Sequence, residues 1–169
     1  MELVSNITCC FTGHRPQNLS WGFNEEDERC VELKKRIKVE IENAIIKGYS
    51  IFISGMALGF DIMCAEAVVD LKKKYSHISI FGALPCKDQD RFWSSRDKKR
   101  YNDLIEQLDD KKYINSSYIG AKCMIERNEF MIDNSSLVIA LYNGKKGGTE
   151  QTIKYAKKKG LQMVILSSN

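Results

Sequence analysis

The chain has 169 residues, 43% of them apolar and 28% charged, which is ordinary for a globular domain large enough to bury a full core without disulfide staples. Its formal charge of +4 is mild, and no apolar run approaches the roughly 20 residues of a membrane helix, so neither a strongly polyanion-binding protein nor a membrane-spanning one is expected. Cys9, Cys10, Cys30, Cys64, Cys86 and Cys123 form no CxxC pair and mostly fall in apolar runs. Buried free thiols in a reducing cytoplasm are expected, in one domain over residues 1–169.

The first strand is expected over 7–11, a short apolar run that stops sharply at Thr12, Gly13, His14, Arg15 and Pro16. The carboxyl end of such a strand is where open α/β sheets take ligands, which makes Thr12, Gly13, His14 and Arg15 candidate contacts. Next, Cys30, Leu33, Ile37, Ile41, Ala44 and Ile45 recur at helical spacing between a cap at Asn24 and a stop at Gly48. A second strand over 49–53 closes at Ser54 and Gly55, and a helix over about 58–74 carries Met63, Ala67 and Leu71 on one face. Residues 78–84 form a third apolar strand ended by Pro85, and a polar loop over 87–97 holds Gln89, Phe92 and Trp93. A helix over about 95–108, a short edge strand at 112–114, a helix over 121–133, a strand over 137–142, a helix over 150–159 and a strand over 162–166 complete the alternation. Near-continuous apolar strands alternating with amphipathic helices predict a three-layer Rossmann-like α/β domain, its mainly parallel twisted sheet covered by helices on both faces.

Two turns carry glycine ahead of a helix. Ser54-Gly55-Met56-Ala57-Leu58-Gly59-Phe60-Asp61 allows close backbone approach and aims helix amides at an anion. Its glycines do not follow GxGxxG, so the ordinary dinucleotide fingerprint is missing, and Asp61 either accepts from ribose hydroxyls or stabilises the first helical turn. The second turn, Tyr142 through Gly147, Gly148 and Thr149, leads into the last helix with Thr149 as its expected cap. Both turns fall at the carboxyl side of a parallel sheet, where they converge. On the helix over 121–133, Met124, Ile125, Met131 and Ile132 mark the buried face, with Asn128 in its middle and Arg127 at its flank. Arg127 is expected to meet phosphate, Asn128 to cap a loop or touch ligand, and Gln89 and Trp93 to wall the same crevice. The lysine-rich stretches at 72–74, 98–100 and 157–159 are separate and lack an aromatic stacking motif, so they read as solvated helix faces and nucleic acid is not an expected partner. His14 and His77 have no metal-ligand spacing to the cysteines, and no metal is expected.

These motifs, in this order, make the chain similar to the SLOG superfamily, the Rossmann-like group that includes DprA-type and LOG-type proteins. Within it the chain most resembles the small bacterial YpsA-like members. The resemblance runs from Phe11-Thr12-Gly13-His14-Arg15-Pro16 to the final strand. Residues 54–61 look like the SGxAxGxD turn of the DprA branch, Gly147-Gly148-Thr149 resembles the superfamily's phosphate-binding turn, and Arg127 aligns with the arginine that LOG enzymes place near the scissile ribosyl bond.

The resemblance implies a binding or sensing module with a regulatory role, for a nucleotide-derived ligand such as an ADP-ribose-like or ribose-phosphate compound. It would require no cofactor, and a homodimer or a protein partner in a regulatory pathway is compatible with it. One alternative is a LOG-like phosphoribohydrolase using Arg127 and Asp61; another is a DprA-like accessory that binds single-stranded DNA. Against the hydrolase, the LOG glutamate three residues beyond the turn's threonine is replaced here by Thr152, and Glu150 follows Thr149 directly.

Overall fold

The computed structural model describes residues 1–168. Strands β1 (Thr8–Gly13), β2 (Ile51–Ser54), β3 (Ser79–Leu84), β4 (Asp110–Tyr113), β5 (Leu137–Leu141) and β6 (Gln162–Leu166) form one sheet, every pairing parallel, in the order β4-β3-β2-β1-β5-β6. Between them run α1 (Glu28–Ile46), α2 (Phe60–Leu71), α3 (Ser95–Ile105), α4 (Ala121–Asp133) and α5 (Gly148–Lys158).

The inner strands β1, β2, β3 and β5 are largely apolar because both faces are buried, while the edge strand β4 (Asp-Lys-Lys-Tyr) is polar and mostly exposed. Cys9, Phe11, Phe52, Ile80 and Ile139 pack with Leu33, Ile37, Ile41, Val68 and Leu104 of α1, α2 and α3, and the Phe11 and Phe52 rings stack at 6.1 Å. The alternate residues, Cys10, Ile53, Phe81, Ala83 and Val138, pack with Met131, Ile132 and Ala156 of α4 and α5. Each large side chain buried this way contributes about 1.5–3 kcal/mol. All six cysteines are buried free thiols, and burial pushes the Cys10 thiol up to about 12.

Several boundaries differ from the sequence-based expectation. Helix α1 begins at Glu28 with Asp27 as its cap: the Asp27 carboxylate accepts from the Arg29 amide at 2.9 Å, while the Asn24 side chain accepts from the Glu26 amide in the preceding turn. Helix α5 begins at Gly148 after Gly147, whose φ of 151° suits glycine, so Thr149 lies inside the first turn and is not the cap. The edge strand β4 begins at Asp110, earlier than the pattern indicated. On α4, Arg127 sits in the buried face while Asn128 is half-buried and Ile125 is 46% exposed. The expectation had placed these three the other way round: Arg127 turns inward because a carbonyl and a carboxylate await it there.

Candidate functional site

Chain progression reverses at β1, with β2 to β4 on one side and β5 and β6 on the other. In open parallel sheets the carboxyl edge at such a switch point is left uncovered, because the loops on its two sides diverge. Here a crevice of about 260 Å³ lies at that point. The end of β1 and its turn line it with Thr12, Gly13, His14 and Arg15; α2 supplies Asp61, and α4 supplies Arg127 and Asn128. Gly147, Gly148 and Thr149 close it. Asn18, Ala57, Met124, Lys145 and Lys146 also line it, and the sequence reading had missed these. The two lysines carried a signal, since they sit inside the glycine turn.

Arg127 organises the floor. It is 3% exposed; its Nη1 donates to the Gly55 carbonyl and its Nε donates to Asn128 Oδ1 at 2.8 Å. The Asp61 carboxylate lies 4.0 Å from the same guanidinium and accepts from the Ala57 amide at 3.4 Å. Burial pushes the Asp61 carboxyl up, against the opposing pull of Arg127. Burial likewise draws Arg127 down, but a guanidinium stays charged in any protein. The crevice floor therefore holds a fixed cation beside a carboxyl group. Asp61 is the one acid among the described residues that line the crevice.

Glycine is required beneath this floor. A Cβ on Gly55 would lie 2.2 Å from Arg127 Nη1, and one on Gly13 would lie 2.4 Å from the Phe60 ring. Two amides of the Gly55–Gly59 turn are bonded inside the protein, Met56 to Ser54 Oγ at 3.1 Å and Ala57 to Asp61 at 3.4 Å, and Phe60 at the start of α2 donates to the His14 carbonyl at 3.3 Å. That turn thus braces Arg127 and the β1 turn. Gly148 is different, since a Cβ there would meet no atom within 4 Å. Gly148 and Thr149 at the start of α5 line the crevice with Lys145 and Lys146 alongside, and Glu150 of the same turn pairs with Lys154.

His14 ties the two sides together. Its Nε2 accepts from the Asn143 amide at 3.1 Å, and its ring lies 6.0 Å from that of Tyr142. Accepting there requires the neutral imidazole, and burial, with Lys145 nearby, lowers the His14 pKa. Tyr142 thus backs His14 without lining the crevice. Ser54 lies below it, its hydroxyl donating to the Asp61 carbonyl at 2.9 Å. Gln89 supports the Gly55 carbonyl from the far side, and Trp93 packs edge-on against Tyr101 at 5.2 Å. Trp93 and Gly59 line a neighbouring groove, so the crevice is walled without Gln89 and Trp93.

This architecture has relatives. The profile of the YpsA family, described as the YspA SLOG family, matches residues 9–167. The chain belongs to this SLOG family. Similar family proteins include the SPbeta prophage-derived protein YoqJ of Bacillus subtilis (strain 168), 38% identical over 141 residues covering 76% of this chain and 82% of that protein. The UPF0398 protein YpsA of the same organism is 29% identical over 140 residues, covering 82% and 77%. Among solved structures, DNA processing protein A from Helicobacter pylori, described by its single-stranded DNA binding mode, superposes with a TM-score of 0.62 at 17% identity. DprA from Streptococcus pneumoniae gives 0.52 at 12%. At those identities the likeness is one of fold; the chain is matched over 95% and 94% of its length but spans 65% and 58% of those two proteins. Among the described residues no helix is long and apolar enough to cross a membrane, and no group of His, Cys, Asp and Glu is arranged to hold a metal ion.

Proposed function

We propose that this SLOG chain is a regulatory binding module for a nucleotide-derived ligand of the ADP-ribose or ribose-phosphate class, gripped by its phosphate in the switch-point crevice. The observation that supports it best is the N-terminus of the 11-residue α5, whose Gly147, Gly148 and Thr149 line the crevice. Its amides and the positive end of the helix dipole face a crevice that also holds Arg15, Lys145, Lys146 and the fixed Arg127 cation. Donors of both kinds, backbone and cationic, suit a dianionic phosphate; Asn128 and Asp61 are placed for ribose hydroxyls.

Thermal unfolding against AMP, ADP-ribose and ribose 5-phosphate tests this. Ligand at 100 times its dissociation constant adds about 2.7 kcal/mol, which raises Tm by roughly 5–10 °C for a chain of this size. A Cβ at Gly148 would meet no atom within 4 Å, so Gly148→Val, at a residue lining the crevice, should fold normally and lose the shift. An unchanged shift in that variant would place the ligand elsewhere.

A second reading, cleavage of the N-glycosidic bond in nucleoside monophosphates, is favoured by one observation: a buried carboxyl with a raised pKa faces the crevice beside a cation. Water would add at the anomeric carbon while the base departs with a proton, and Asp61 would have to assist. Thr152, at the position where LOG enzymes carry glutamate, is buried and its hydroxyl donates to the Gly148 carbonyl at 2.8 Å. Glu150 is paired with Lys154 at 2.8 Å. Asp61 would work alone, which disfavours this reading. Release of free base that disappears in Asp61→Asn would establish it. Because one solved neighbour is described by its binding of single-stranded DNA, the expectation against nucleic acid gains no support, and affinity that falls steeply with salt is its test.

A further inference from the structure

We infer that the groove beside the crevice is the base subsite of the same ligand, so that the chain selects nucleotides over bare sugar phosphates. This rests on the phosphate reading above and adds what that reading leaves open, namely where an aromatic base would lie. The crevice, at about 260 Å³, is smaller than the ~300–1,000 Å³ of ordinary small-molecule sites, which leaves room for a phosphate and sugar but little more. The adjoining groove is about 790 Å³.

Two features join them. Arg15 lines both cavities, and Gly59, which lines the groove, is held against the carbonyl of His14, which lines the crevice. A ligand leaving the crevice past Arg15 enters the groove directly. Three aromatic side chains stand in its largely polar lining: Phe23 and Phe92 are 60% and 86% exposed, and Trp93 is half-buried in a T-shaped contact with Tyr101. Large apolar side chains left this exposed around one concavity need a partner. The Arg91 guanidinium lies 4.6 Å from the Phe92 ring centre, between Phe92 and Tyr118, and so holds the Phe92 ring from one side.

A flat heteroaromatic base fits this better than an aliphatic ligand does. It stacks on phenylalanine and tryptophan faces whatever its hydrogen-bonding edge. The groove's other charges are mostly committed: Arg100 is held by Glu25 and Glu66, and Lys34 pairs with Glu25 at 2.7 Å. Glu26 and Asp97 form no ion pair among the described residues, Asp97 accepting from Ser94, and the Glu26 carboxylate is an acceptor available for an exocyclic amino group.

The test is calorimetric titration of the full chain with AMP and with ribose 5-phosphate, on wild type, Phe92→Ala and Gly148→Val. Phe92 is exposed, so its truncation leaves the fold intact. AMP should bind wild type about tenfold or more tightly than ribose 5-phosphate, a margin that Phe92→Ala should erase without weakening ribose 5-phosphate, as expected for loss of one base stack. Gly148→Val should abolish both. AMP should also quench Trp93 fluorescence, a signal lost in Trp93→Phe, with the buried Trp21 as internal reference. If both probes bind wild type equally, or Phe92→Ala leaves the AMP margin intact, the base subsite is wrong while the phosphate site stands. If neither probe binds, both readings fall. Tight, salt-sensitive binding of a short oligothymidylate with no binding of AMP overturns this inference in favour of a nucleic-acid strand.

Discussion

Gly55→Ala should damage this protein by steric overlap alone. The backbone at Gly55 has no positive φ, so alanine carries no conformational strain there, and any loss is steric. The new Cβ would lie 2.2 Å from Arg127 Nη1 and 2.6 Å from its Cζ. The guanidinium cannot retreat cheaply, because it is 3% exposed and bonded to the Gly55 carbonyl itself and to Asn128. Overpacking of a core costs about 1–3 kcal/mol, and a lost hydrogen bond to a charged group about 1.5–3 kcal/mol. The two together predict a loss of about 3–5 kcal/mol, or roughly 6–20 °C in Tm. Urea unfolding of Gly55→Ala, Arg127→Ala and the double variant measures it. The double variant should be less damaged than the sum of the singles by about 1–3 kcal/mol, since removing Arg127 removes the clash. A Gly55→Ala protein within about 0.5 kcal/mol of wild type, or strict additivity, would refute the account of the crevice floor.

Gly148→Ala is the converse: with open space around it and an ordinary φ, it should be neutral or stabilising by up to about 1 kcal/mol in the same unfolding assay, while it weakens ligand. Because burial lowers the His14 pKa, the unfolded chain binds the extra proton first. Its contribution to stability is present above the ordinary histidine value near ~6.5 and is lost as pH falls through the lower folded value. Urea midpoints between pH 7.5 and 5 should therefore fall more in wild type than in His14→Gln; parallel profiles would remove His14 from the loop contact. Arg100→Ala strands Glu66 and leaves Glu25 with Lys34 alone in a partly buried site, and should cost about 2–3 kcal/mol at neutral pH. Its bonds to Arg100 and Lys34 hold the Glu25 carboxyl low despite its burial, so this cost should shrink as acid protonates Glu25, and a pH-independent loss would contradict it. Thr152→Glu forces a carboxylate into a site 3% exposed and should destabilise by about 2–4 kcal/mol on thermal unfolding, rather than create a hydrolase.

The sequence by itself determined the layers, the strand count and the family. Apolar strands buried on both faces leave a continuous hydrophobic run that no loop mimics, and 121–133 and 162–166 were legible to the residue. It also marked most of the crevice, since glycines that stop a strand ahead of a helix announce the carboxyl edge of a parallel sheet. Tertiary structure decided the rest. Only the strand order brings the β1 turn and the β5 turn to one switch point, because pairing between β1 and β5 spans more than a hundred residues of chain and leaves no local pattern. Only packing turned Arg127 fully inward: the helical wheel put it at the flank of the buried face, and the Gly55 carbonyl and the Asp61 carboxylate that hold it come from β2's turn and α2. In the glycine turn ahead of α2, only the fold shows that the Met56 and Ala57 amides meet Ser54 and Asp61 and that the Phe60 amide meets the His14 carbonyl. A hydrogen bond already made inside the protein is not available to a ligand, and its partner's position is set by the whole fold rather than by neighbours in sequence.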